Sequence, residues 1–245
     1  MSSSNSRLLN FTKKYPMFKK LYLFYNIYIR NYNFLYSGNQ FGEEEKLLSY
    51  FKKDYKGTYV DIGCFHPTKH SNTSNFYKRK WKGINIDLNP LTIDLFNLAR
   101  PKDINICAAI SNSVKSTDLY FIGDLSSENT LEKKHTTWLK KTFNYNQKKF
   151  LKKKIKTKKI NDILEKYKFY DIDFMNIDVE GHEINILNSL NLRKFNIKYF
   201  CVEIISQNYS QKHKSEILNY FKKNNYKIKY IDRIVGINYI FKKII

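Results

Sequence analysis

YVDIGCFHP at residues 59–67 and GINIDLNP at residues 83–90 are the two stretches that decide the fold. Each is a β-rich run carrying a carboxylate at or near its end: Asp61 with Gly63 two residues on, then Asp87. β-Branched and aromatic residues favour a pleated, buried strand. A glycine just past such a strand lets the backbone turn tightly and come close to a ligand. Asp87 follows Gly63 by 24 residues. In a doubly wound sheet a carboxylate at that place lies beside the first loop and can accept hydrogen bonds from both hydroxyls of a ribose. Asp61 and Gly63 are therefore read as a nucleotide-type loop, and Asp87 as the ribose acceptor.

The pattern extends in both directions from these runs. Further β-rich runs fall at 104–110, 174–178 and 199–204, with helical stretches at 91–98, 161–167, 182–190 and 214–221. Strands alternating with helices imply a parallel sheet with crossover helices. The last two runs, 227–231 and 237–241, flank Gly236 and read as a closing antiparallel hairpin. The fold class is α/β, doubly wound.

Two cofactor classes suit such a loop, a nicotinamide dinucleotide and S-adenosyl-L-methionine. A GxGxxG turn would be needed to seat a pyrophosphate. Here Phe65 stands in place of the second glycine. A side chain the size of Phe65 obstructs a pyrophosphate. S-adenosylmethionine has none, and the cofactor expected is S-adenosylmethionine.

A second constellation is FMNIDVEGHE, residues 174–183. A β-rich run delivers Asp178 to the sheet edge, Glu180 follows on the loop, and Gly181 opens a helix with His182 and Glu183. Crowded carboxylates with an imidazole shift pKa values and supply a general base. Asp178, Glu180 and His182 are the catalytic candidates. Glu183 suits the helix N-terminus electrostatically. No metal ligand is assigned, and whether a divalent cation assists these carboxylates is left open at this point.

Composition limits the remaining possibilities. The 245 residues are 42% hydrophobic with 16% aromatics, which excludes a disordered or collagen-like chain. No apolar run approaches the ~18 residues of a membrane span. The N-terminus lacks an apolar signal core, and Cys64, Cys107 and Cys201 form no CxxC pair, so a cytoplasmic, reducing location is expected. The net charge of +22 would ordinarily point to nucleic acid or an anionic membrane. Nearly all of the cations are lysines, however, in a chain also rich in Asn, Ile, Phe and Tyr; a low-GC genome accounts for that, and the balance is against a nucleic-acid partner. Residues 1–42 read as a basic, aromatic helical extension opened by Pro16, before a domain spanning 43–245. The apolar seam within 8–32 either packs on the domain or makes peripheral contact with an anionic membrane. From 133 to 161 there are twelve lysines and no acid, read as an insertion whose front half is helical or mobile.

The motifs VDIGCFHP, SNTSNFYKRKWKGINIDLNP, CAAISNS, KKINDIL and MNIDVEGHE occur in an order and spacing that resembles the FkbM-type methyltransferases, a class I S-adenosylmethionine-dependent family. The resemblance covers roughly residues 57–205. It implies a Rossmann-like, seven-stranded sheet with the last strand antiparallel, and O-methylation of a small-molecule or glycan acceptor. Carried onto this chain, it implies that Ala108, Ala109 and Ser111 flank the adenine and that Asp178 and Glu180 face the acceptor hydroxyl. Glu203, at the end of the next strand, stands behind them. Two rival readings remain at this point: an RNA methyltransferase, and a non-catalytic glycan- or membrane-associated module with the same fold.

Overall fold

The computed structural model describes residues 12, 14–32, 41–142, 150–205, 211–232, 234 and 237–244. A 3-10 turn at Pro16–Phe18 leads into α1 (Lys19–Phe24) and a wider π-type turn at Tyr25–Ile29, one continuous helical run that Pro16 opens. There follow α2 (Glu43–Leu48), β1 (Thr58–Ile62), α3 (Ser74–Lys78), β2 (Lys82–Asp87), α4 (Pro90–Ala99) and β3 (Ile104–Cys107). Next come β4 (Ala109–Ile110), β5 (Ser116–Phe121), α5 (Lys133–Thr142), β6 (Leu151–Lys158), α6 (Ile160–Lys166) and β7 (Asp171–Ile177). The chain closes with α7 (Glu183–Ser189), β8 (Asn196–Glu203), α8 (Gln211–Lys223), β9 (Tyr226–Ile231) and β10 (Asn238–Lys243).

The main sheet has seven strands in the order β3-β2-β1-β7-β8-β10-β9. β1 pairs in parallel with both β2 and β7, and β10 runs antiparallel to both β8 and β9. This is the expected doubly wound sheet with a reversed last strand. Chain order switches direction at β1, and a crevice opens outside the strand ends at such a point. The C-terminal ends of β1, β2 and β7 deliver Gly63, Asp87 and Asp178 to that crevice.

Side chains alternate across the sheet. Val60, Ile62, Ile84, Met175 and Ile177 pack on one face against Ile163, Ile186, Ile217 and Phe221 of the helices. Tyr59, Phe174, Tyr199 and Cys201 pack on the other with Leu47, Phe76 and Trp81. Both faces are covered, which is why these strands read as nearly continuous apolar runs. On the second face lies a buried polar centre. Arg100, 2% exposed, donates to Pro67 O (2.5 Å), Ser71 Oγ (2.8 Å), Thr73 Oγ1 (2.8 Å) and Tyr59 Oη (3.4 Å).

One expectation needs correction, and one segment gains a structure that its composition does not suggest. The run 104–110 is not one strand. β3 ends at Cys107, and Ala109–Ile110 belong to a separate three-stranded sheet of order β4-β6-β5. The second half of the lysine-rich segment is neither helix nor loop but β6, antiparallel to β5 with Ser116 opposite Lys156 and Phe121 opposite Leu151. Lysine is a poor strand former, yet cross-strand partners hold this one. Lys152 and Lys154 reach Asp118 at 2.8 and 2.7 Å, and the Lys153 ammonium sits 3.5 Å from the centre of the Phe121 ring. Of the front half, read as helical or mobile, Lys133–Thr142 form α5, which buries His135, Thr136 and Leu139. Residues 143–149, the remainder of the proposed mobile stretch, lie outside the described residues.

Candidate functional site

The crevice holds a cavity of about 270 Å³ lined by the ends of β1, β2, β7 and β8 and by residues 126–131. Its floor is where β1 meets β7. Asp178 N donates to Ile62 O at 3.0 Å, and Gly63 has φ +83° with its α-carbon against the Asp178 carbonyl. A β-carbon at Gly63 would collide with that oxygen, so glycine is required by space as well as by dihedral. Two residues past the glycine, Phe65 also lies in the left-handed region at φ +49°. His66 closes the turn: its buried Nδ1 accepts from Thr68 N (3.2 Å) and Lys69 N (3.0 Å). Burial, with Lys69 and Arg100 nearby, lowers its pKa to about 3, so the imidazole is a neutral acceptor.

Asp87 lies where the ribose acceptor was expected, at the cavity wall. Its oxygens accept from Phe65 N (3.1 Å) and Asn89 N (2.8 Å), which ties β2 to the glycine loop. Burial raises its pKa to about 6. Asp61 also borders the cavity, but both oxygens are engaged within the protein, by Thr73 Oγ1 (2.6 Å) and Asn176 Nδ2 (3.0 Å). It shapes the loop and connects through Thr73 to Arg100. Ala108 and Ala109 line the cavity beside Asp87. Ser111 does not; its Oγ turns instead to His182 Nε2 at 3.0 Å.

The opposite end of the cavity is acidic. One carboxylate oxygen each of Asp178, Glu180 and Glu203 lie within 4.8 Å of one another. Asp178 and Glu203 hydrogen-bond to each other. Burial first, then the Glu180 and Glu183 charges, push Asp178 well above the ordinary carboxylate range. Glu203 is pushed the same way by burial, Asp178 and Glu180. Carboxylates this close cannot all ionise unaided. A shared proton relieves the repulsion, and the three oxygens are also spaced to hold a divalent cation.

Imidazole–carboxylate pairs hold this loop from outside. His135 of α5 reaches Glu180 Oε2 at 2.9 Å, and Thr130 Oγ1 donates to Glu180 O at 2.8 Å. His182 Nδ1 meets Glu132 Oε1 at 2.6 Å, which lowers the Glu132 pKa. Glu183 accepts from Gly181 N (2.9 Å) and Val179 N (3.2 Å), and its other oxygen meets His213 Nε2 at 3.0 Å. Glu183 thus caps the turn, as expected. His182 is oriented by Glu132 and Ser111, a role sequence reasoning missed because Glu132 lies alone beside a lysine tract 50 residues away.

Asn72 Oδ1 and Glu203 Oε2 are buried acceptors in residues lining the cavity, with no hydrogen-bond donor among the described residues. Unpaired buried acceptors are costly, and a ligand with an ammonium and hydroxyl groups would satisfy them. The donor set fits S-adenosylmethionine: carboxylate Asp87 for a ribose, small Ala108 and Ala109 beside it, and polar Asn72 across the cavity.

Residues 38–228 match the family described as "Methyltransferase FkbM domain". The chain belongs to the FkbM methyltransferase family. Its cofactor is S-adenosyl-L-methionine. Among solved structures, a TehB-like SAM-dependent methyltransferase from Corynebacterium glutamicum is 12% identical, over 94% of this chain and 100% of that one, with a TM-score of 0.43. Aeropyrum pernix fibrillarin, solved with natively bound S-adenosyl-L-methionine, is 12% identical over 79% and 67%, with a TM-score of 0.37. At those scores the assignment rests on the family match. No curated protein matches the chain.

Proposed function

We propose that this methyltransferase acts on a hydroxyl oxygen, and that the acceptor is a sugar of a glycan, glycolipid or related metabolite. The observation carrying this reading is the carboxylate group at one end of the cavity, Asp178 with Glu203 and Glu180. A hydroxyl is a weak nucleophile until its proton begins to leave, so an O-methyltransferase benefits from a positioned base. Sugars also present several adjacent hydroxyls, which paired carboxylates recognise well.

Bound S-adenosylmethionine supplies an activated methyl group, so the protein must mainly align the acceptor and accept its proton. In the Asp178–Glu203 pair one proton shared between two carboxyl groups leaves one negative charge, and the raised pKa values mean that this charge takes up a proton readily. Asp178 is the proton acceptor in this reading. Glu180, fixed by His135 and by Thr130 on its carbonyl, orients the acceptor. His182, held by Glu132 and Ser111, is the second basic group within the same loop. Ser126, Ser127 and Asn129 complete a polar wall suited to a hydroxylated ligand.

The test is comparison of surface glycans, by mass spectrometry, from cells with and without the gene. Loss of a single methyl from a sugar residue is the expected result. Unchanged glycans together with a lost methyl on RNA or protein would reject the sugar acceptor while leaving the family assignment standing.

A further inference from the structure

The N-terminal helical run has two apolar faces, and the fold uses one. Tyr22, Leu23 and Ile27 are buried against Leu91 and Leu95 of α4, with Leu125 at the edge of the same cluster. The opposite side carries Met17 (80% exposed), Leu21 (66%), Phe24 (49%) and Ile29 (55%), with Tyr25, Tyr28 and Tyr32 among them. Their spacing of three and four residues makes this a continuous stripe along the helix. Phe24 and Tyr28 stack within it, ring centroids 4.9 Å apart. Isolated exposed apolar residues are ordinary, but a contiguous stripe marks an interaction surface.

Charge indicates what covers it. Residues 1–42 contain Arg7, Lys13, Lys14, Lys19, Lys20 and Arg30 and no Asp or Glu at all. Lys14, Lys20 and Arg30 are solvent-exposed along the run, while Lys19 pairs with Asp94 at 2.6 Å. A helix with an aromatic and aliphatic stripe flanked by cations lies flat in the headgroup layer of an anionic bilayer. Position adds a consequence. Asn31 lies 3.3 Å from His66 Nε2, in the loop that forms one cavity wall, and Leu125 adjoins Ser126 of another.

We propose that the stripe Met17–Leu21–Phe24–Tyr28 docks this protein on anionic lipid and brings the rim of the methyl-transfer cavity to the bilayer surface. The proposal stands apart from the identity of the acceptor.

Flotation of the full-length protein with vesicles tests it. Association is expected with phosphatidylcholine containing phosphatidylglycerol, but not with phosphatidylcholine alone, and should fall as salt rises. Leu21→Ser with Phe24→Ser should abolish it while melting temperature and S-adenosylmethionine binding stay unchanged. Lys14→Glu with Lys20→Glu, which leaves every apolar contact in place, should weaken it at least ~10-fold, since each cation near such a surface is worth about fivefold. Absence of flotation, or binding undiminished in both variants, overturns the proposal. So does a dimer in sedimentation equilibrium that Leu21→Ser with Phe24→Ser dissolves, because a second copy would then be what covers the stripe.

Discussion

The two ends of the cavity are built by different means. At the cofactor end, backbone amides and uncharged groups hold the loop: Phe65 N and Asn89 N on Asp87, Thr68 N and Lys69 N on a neutral His66, and the Thr73 hydroxyl and Asn176 amide on Asp61. The cation involved, Arg100, is buried behind the loop and titrates outside any working range. At the acceptor end, carboxylates face each other and imidazoles hold them. The first end is therefore held by backbone amides and uncharged donors, and the second by carboxylates whose charges act on one another.

The sharpest test of that contrast is Asp178→Asn. It preserves shape and removes the charge, so turnover to S-adenosylhomocysteine should fall ~10²- to 10⁴-fold with cofactor affinity nearly unchanged. Wild-type turnover would take the base away from Asp178 and leave His182 as the candidate. Arg100→Met addresses the cofactor end. It removes the guanidinium that donates to Pro67 O, Ser71 Oγ, Thr73 Oγ1 and Tyr59 Oη, and leaving buried partners of a charged group unpaired costs about 1–3 kcal/mol each; urea unfolding should show a loss of about 3 kcal/mol or more. A loss below about 1 kcal/mol would mean that the loop is held without the guanidinium.

Asp87→Ala should weaken S-adenosylmethionine binding by about 1.5–3 kcal/mol, the range for hydrogen bonds to a charged group, measured by calorimetry. With the folded pKa at about 6, the carboxylate is charged above that pH and neutral below it. Wild-type affinity should accordingly drop as pH falls through about 6, and the variant should lack that step. A step that persists in Asp87→Ala would assign it to another group.

The remaining contrast lies outside the cavity. Glu44 is fully buried, accepts from Asn75 N and Asn75 Nδ2, and has its pKa raised by burial from 4.5 to about 8. The folded state keeps this proton where the unfolded state has lost it, so stability is greatest below about 4.5 and declines as pH rises towards about 8. Glu44→Gln should flatten that part of the melting-temperature profile. An unchanged slope would show that the side chain is ionised in the folded protein.

The legible part of the site was the cofactor end. Gly63, Asp87 and the end of β7 each announce themselves locally, by a strand period broken at a glycine or a carboxylate. The acceptor end was half legible: Asp178 and Glu180 stand in one motif, but Ser111 turns to His182, Glu132 stands just before a basic tract and His135 within it. β6 was missed for a related reason. Its lysines argue against a strand, and the partners that reverse this, Asp118 and Phe121, belong to another run.

Sequence alone determined the doubly wound sheet, its closing antiparallel hairpin and the glycine turn after β1, because apolar periodicity and glycine punctuation are properties of neighbouring residues. Only the tertiary structure decided which charges meet. Glu132 with His182, His135 with Glu180 and Arg100 with the 67–73 loop are contacts between distant segments, and nothing in the local pattern distinguishes such a carboxylate or imidazole from one left in solvent. The energy of a buried charge depends on the partner beside it and on the water removed, and both are set only when the sheet closes.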